Sequence, residues 1–249
     1  MRFDTATGMN RTGIGLSPID AKELIEAASR TSPPPGGPEA ADVVRASYAA
    51  DAEVLGSMPP PTTLRGAGAA AVEMLKGERL PAFTDKLGER LAFERTGTRI
   101  YEAILAKSMD AQDEPRVADI DELRRFHDQE RQHFDLLREA VIKLGGDPTA
   151  VTPSADVAAV ASTGIVQVVS DPRTTVAQCL SALLITELAD HDGWTLLARL
   201  ADDLGYDELA ASFRQALAEE AHHLARVRAW VTGATLAEAE PGRTASESG

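Results

Sequence analysis

The sequence predicts an all-α chain whose main part is a four-helix bundle with one long crossover. Three observations predict it. The apolar set is aliphatic: hydrophobic residues make up 43% of the 249 residues but aromatics only 4%, and Ala and straight-chain residues lose little freedom in a helix. From about Pro81 the pattern becomes long and helical, broken by two short connections and one long one, the plan of two hairpins joined by a crossover. No strand-period repeat competes with it. The length suits one sizeable domain, or one domain with an appendage.

Residues 1–80 form an extension of different character. Pro and Gly cluster at Pro33–Pro38 and Pro59–Pro61, punctuating three short helices. The first starts at Ser17-Pro18-Ile19-Asp20, with Ser17 as N-cap and Pro18 at the first helical position. The others cover about Pro38–Leu55 and Thr62–Lys76. The bundle spans 81–234. Its first helix runs roughly Phe83–Met109, and Asp110–Arg116, which contains Pro115, reads as a loop. The second runs roughly Val117–Leu144 and stops at Gly145-Gly146. The connection 145–170 contains Ala155–Ser170, suited to a crossing helix. The third begins near Asp171-Pro172 and continues to Leu204, closed by Gly205. The fourth runs from about Asp207 to Val231. Residues 235–249 are polar and read as a disordered tail.

Composition excludes several function classes. A net charge of −14 argues against nucleic acid, whose phosphates need a basic stripe. An acidic surface also concentrates cations, although a solvated surface is the simpler reading. The one cysteine, Cys179, rules out an intramolecular disulfide and any CxxC zinc or rubredoxin site, and fits a small buried apolar residue. The N-terminus, MRFDTATGMN, lacks the apolar core of a secretory signal. The longest uncharged stretch, Val157–Ser170, is too short to span a bilayer. A cytoplasmic protein without a membrane partner is the expectation.

The chemistry is carried by acids and histidines. The second helix contains Glu130-Arg-Gln-His133 and the fourth Glu220-Ala-His222-His223; residues three apart share a helix face. A lone Glu-x-x-His is a weak signal, more often a surface pair. Two of them, each on the second helix of a hairpin, are harder to dismiss. The partner helices offer Glu94 and Glu187. Leu87, Leu91, Tyr101 and Leu105 share a stripe with Glu94; Leu180, Leu183, Leu184 and Trp194 share one with Glu187. Carboxylates on core faces are costly unless paired or bound to metal. Two divalent ions would balance the four glutamates, with the imidazoles as neutral donors.

The two halves match in register. Tyr101 lies two turns after Glu94 and Trp194, a packing residue, two turns after Glu187; Phe134 and Leu137 answer Leu224 and Val227. All five histidines lie near the four glutamates. His127 and His191 either orient a glutamate, ligate, or sit on the surface. His222 faces away, with Glu219-x-x-His222 as the alternative working pair. Glu89 and Glu102 read as solvent-facing.

Residues 82–234 thereby resemble the ferritin-like superfamily of carboxylate-bridged di-iron and di-manganese proteins. Glu94, Glu130, His133, Glu187, Glu220 and His223 match its ligand pattern residue by residue, closer to bacterioferritin, rubrerythrin or manganese catalase than to eukaryotic ferritin. The resemblance implies two iron ions per chain, manganese being the alternative, and oxidative chemistry with O2 or peroxide of ferroxidase or peroxide-consuming type. It leaves open an oxygenase acting on a small organic substrate, a dimanganese catalase, and a metal-stabilised assembly module. Tyr101 falls where ferritins often carry a tyrosine beside the metals. It is the candidate catalytic side chain, either hydrogen-bonded to a glutamate or taking part in redox chemistry. A homo-oligomer, at least a dimer, is expected. The extension 1–80, the long crossover and the lack of a fifth helix depart from a storage cage, and the single cysteine leaves no rubredoxin module.

Overall fold

The computed structural model describes residues 18–31, 37–53, 55, 79–111 and 117–239. These hold seven helices and no strand: α1 (Pro18–Arg30), α2 (Gly37–Asp51), α3 (Arg79–Asp110), α4 (Ile120–Lys143), α5 (Pro153–Ser170), α6 (Val176–Asp203) and α7 (Asp207–Ala239). The chain divides into two compact units, Met1–Glu53 and Val54–Gly249. In the first, Ile25, Val43, Val44 and Tyr48 are exposed, and the helices carry surface pairs such as Arg45–Asp42 at 2.9 Å, worth about 0.2–0.5 kcal/mol each. The predicted N-cap Ser17 and third short helix Thr62–Lys76 lie outside the described residues.

In the second unit α3 starts at Arg79, ahead of the expected Phe83, because Pro81 sits in the first turn, where a missing N–H costs nothing. Asp119 caps α4, accepting from the N–H groups of Asp121 and Glu122 at 2.9 and 3.1 Å. Gly145, at φ 83°, ends that helix: Gly146 N–H donates to Val141 O and Gly145 N–H to Ile142 O, both at 2.9 Å. The left-handed turn suits glycine and satisfies two terminal carbonyls.

The crossover helix α5 is pinned at both ends to α3. The Asp85 carboxylate accepts from Ser154 N–H at 2.8 Å and Ser154 Oγ at 2.6 Å. At the far end Lys107 Nζ donates to Asp171 O at 2.6 Å and Thr174 O at 2.9 Å. The third bundle helix starts later than expected from Asp171-Pro172. Those residues form the turn after α5, whereas Thr175 and Gln178 build a reciprocal capping box for α6. The last helix runs past the expected Val231 to Ala239, taking in the start of the segment read as a disordered tail, 235–249. The run Ala234-Thr-Leu-Ala-Glu-Ala239 is rich in strong helix formers; residues 240–249 lie outside the described set.

Helix α3 packs along α4, α5 and α6, while α6 packs along α7, which also meets α4. The core comes in two parts. One holds Phe83, Leu87, Leu137, Trp194, Leu197 and Phe213; the other Ile104, Leu123, Phe126, Leu180, Leu183 and Val227. Full burial of such a side chain contributes about 1.5–3 kcal/mol. Every bundle helix thus runs from one apolar cluster to the other, and the acidic positions fall between. Among the described residues no helix is long and apolar enough to cross a membrane.

Candidate metal centre

Four helices supply this middle layer: Glu94 from α3, Glu130 and His133 from α4, Glu187 from α6, Glu220 and His223 from α7. All six side chains are buried. Three-residue spacing keeps each Glu and His of a pair on one face, and the apolar residues two turns away hold that face inward.

Glu220 lies at the middle. Its Oε1 is 2.9 Å from His133 Nδ1 and its Oε2 is 3.3 Å from His223 Nδ1. His133 Nδ1 is also 3.8 Å from Glu94 Oε2. His223 Nδ1 lies 3.5 Å from Glu130 Oε1 and 3.8 Å from Glu187 Oε2. The ligand atoms form two triads, Glu94–His133–Glu220 and Glu130–Glu220–His223, each within 4.8 Å. Both triads share Glu220.

These atoms converge without hydrogen-bonding one another. Glu94 Oε2, Glu187 Oε2, both oxygens of Glu130 and of Glu220, and both Nδ1 atoms lack a hydrogen-bond partner. Leaving such groups buried and unpaired costs about 1–3 kcal/mol each, more when charged. Free of cations, Glu130, Glu187 and Glu220 answer by holding protons. Burial, then the charges of Glu220 and Glu94, push Glu130 well above the usual carboxylate range; burial, then Glu187 and Glu94, do the same to Glu220. Burial pushes Glu187 up to about 8, against the hydrogen bond from Tyr101 that pulls it down. Burial lowers His223 to about 3, with His133 adding to the effect, so its imidazole is neutral and free to donate a lone pair.

The outward face of each imidazole is tied. His133 Nε2 meets Glu219 Oε2 at 3.0 Å, and His223 Nε2 meets Gln129 Oε1 at 2.9 Å. Acceptors at both Nε2 atoms assign the protons there and leave Nδ1 bare toward the centre. Tyr101 donates its hydroxyl to Glu187 Oε1 at 2.7 Å. Burial and then the Glu187 charge raise its pKa well above normal, which keeps it a donor. Rings close the walls: Phe126 lies 4.1 Å from the His223 ring and Trp194 5.3 Å from that of His133, centroid to centroid.

Two buried residues escaped the sequence reading. Arg90 Nη2 contacts Glu94 Oε1 at 2.5 Å and also pairs with Asp190. Burial works against the guanidinium charge, but Asp190 and Glu94 outweigh it and drive its pKa up. Asp190 belongs to a further grouping with Glu94, Glu130 and Glu220. Its spacing, three residues after Glu187, and that of Arg90, four before Glu94, were the available signals. With Asp190 matched by Arg90, four glutamates remain to be balanced. Glycines make room for these groups: a Cβ on Gly193 would lie 2.6 Å from Arg90 Nη1, and one on Gly97 would collide with the Glu130 carboxylate.

The other histidines sit outside the cluster. His222 is exposed, 3.3 Å from Glu122; its proposed partner Glu219 instead meets His133. His127 lies 3.5 Å from Glu102, which is exposed, and half-buried His191 lies 3.7 Å from Asp192. Glu89 is half-buried beside Lys86 rather than fully solvent-facing.

Oxygen and imidazole donors are the set that iron and manganese accept, and the unpaired buried atoms fit such ions. No match was found among curated proteins or among solved structures. Residues 85–231, more than half the chain, match the family model described as Rubrerythrin, and the chain belongs to that family of ferritin-like, di-iron carboxylate proteins.

Proposed function

We propose that Glu94, Glu130, His133, Glu187, Glu220 and His223 hold about two iron ions per chain, manganese being the alternative, for oxidation by O2 or peroxide. The observation that carries this reading is the convergence of unpaired, buried oxygens and Nδ1 atoms between two apolar clusters. Two Fe(II) ions held there would supply two electrons together to O2 or peroxide.

The remaining work belongs to the chain. Glu220 presents one oxygen to each histidine, which suits it to span two positions. Glu94 and Glu187 serve one position each. Tyr101 orients Glu187 by donating its hydroxyl proton to Oε1. The apolar clusters exclude water, which strengthens every charge interaction inside. The ring walls around the histidines favour an oxidant of two or a few atoms over a bulky organic substrate, so ferroxidase or peroxide consumption is preferred to oxygenation.

The test is anaerobic Fe(II) loading of the full chain, metal analysis, then exposure to O2 or peroxide. The expected result is about two ions per chain and oxidant consumption that needs only Fe(II). Far fewer ions and no consumption would overturn the reading. A requirement for an external reductant and an altered organic molecule would favour the oxygenase instead.

A further inference from the structure

The two halves of the centre are related by a pseudo-twofold that extends to the partners of the histidines. His133 of α4 meets the residue before Glu220; His223 of α7 meets the residue before Glu130. The symmetry fails in chemistry: the first partner is the carboxylate of Glu219, the second the amide of Gln129. We propose that this exchange of Glu for Gln makes the two metal positions unequal, the position at His133 binding the first ion. The inference rests on the di-metal reading above.

An imidazole N–H given to a carboxylate makes a charge-assisted bond roughly twice as strong as one given to an amide. The bond pulls the Nε2 proton away and makes Nδ1 a better donor. Glu219 is held for this task, since its other oxygen accepts from Gln215 Nε2 at 3.4 Å. The remaining partners are the same in the natural chain and in every variant compared below. Each terminal glutamate receives one donor, Arg90 on Glu94 and Tyr101 on Glu187, and the Arg90 charge is matched by Asp190. Exchanging Glu219 and Gln129 therefore isolates their own share in ranking the positions. Glu219→Gln and Gln129→Glu are near-isosteric changes outside the ligand set, and each should leave the helix content intact.

Repulsion between ions separates two binding steps in any di-metal site, so the diagnostic is which histidine carries the first ion. The probe is one equivalent of Co(II), added anaerobically to the metal-free full chain. The readout is the set of paramagnetically shifted imidazole N–H proton resonances. The resonance that moves on Glu219→Gln belongs to His133, and the one that moves on Gln129→Glu to His223. In the natural chain the His133 resonance should dominate by about tenfold or more. Either single variant should bring the two toward equality, and the double variant Gln129→Glu/Glu219→Gln should reverse the order. Equal resonances in the natural chain, dominance of His223, or an order unmoved by the double variant would overturn the inference while leaving the di-metal reading standing. Absence of Co(II) binding would overturn both.

Discussion

At either end of the bundle Phe83, Phe213, Leu123 and Leu183 are fully buried among apolar neighbours, while at the waist Glu94, Glu130, Glu187 and Glu220 are buried as deeply. The ends are stable as they stand, because apolar burial needs no partner. The waist is unsatisfied as it stands, with carboxylate oxygens and Nδ1 atoms facing one another. The contrast teaches that one fold keeps two ledgers: its ends hold the helices together, and that surplus carries a cluster that becomes favourable only with cations.

The largest expected effect is at the ends. Phe213→Ala should lower stability by about 3–5 kcal/mol, by the same amount with and without metal, as read by denaturant melts. A loss that depended on metal would blur the distinction between ends and waist. At the waist the sign should invert. Glu220→Gln replaces a carboxyl that must take up a proton to stay buried with a neutral amide, so the metal-free chain should melt higher than the natural one near neutral pH. The stabilisation given by metal, about 2.7 kcal/mol at a hundredfold excess over Kd, should largely vanish in the same variant. Paired melts with and without Mn(II) check both halves.

Above the usual carboxylate range the pH response should come from the waist. A carboxyl whose folded pKa is raised favours the folded state below its unfolded value, and the contribution is lost as pH rises through the folded value. For Glu187 that window runs from the usual carboxylate range up to about 8. The metal-free chain should lose melting temperature across it, and metal affinity should climb over the same window as protons cease to compete. A flat metal-free profile would break the account of the waist. The smallest effect is expected from Gly97→Ala. It should leave metal-free stability within about 1 kcal/mol, since better helix propensity offsets some crowding, yet displace Glu130 and weaken metal binding.

The ends and the waist also differed in how far the sequence revealed them. The bundle plan was legible because each helix carries apolar residues at helical spacing and two helices stop at a glycine with positive φ, Gly145 ahead of the crossover and Gly205 in the second hairpin. The six converging side chains were legible because Glu-x-x-His recurs at matching positions. Arg90 and Asp190 were not, because a buried ion pair between α3 and α6 depends on helix rotation that spacing alone leaves open. Glu219 was expected only as an alternative partner of His222, and Gln129 not at all, for a related reason: each reaches across to a histidine of the other half, a contact with no local signature. The start of α6 was misplaced because Asp171-Pro172 resembles a helix entrance, whereas the capping box of Thr175 and Gln178 sits just beyond it.

The proposed centre gathers two ions side by side at the waist. Iron K-edge X-ray absorption on the Fe(II)-loaded chain addresses it most directly. A metal–metal scattering shell at roughly 3.5–4 Å, with oxygen and imidazole neighbours, is the predicted result. Iron surrounded only by light atoms, with no second metal in range at full loading, would contradict it.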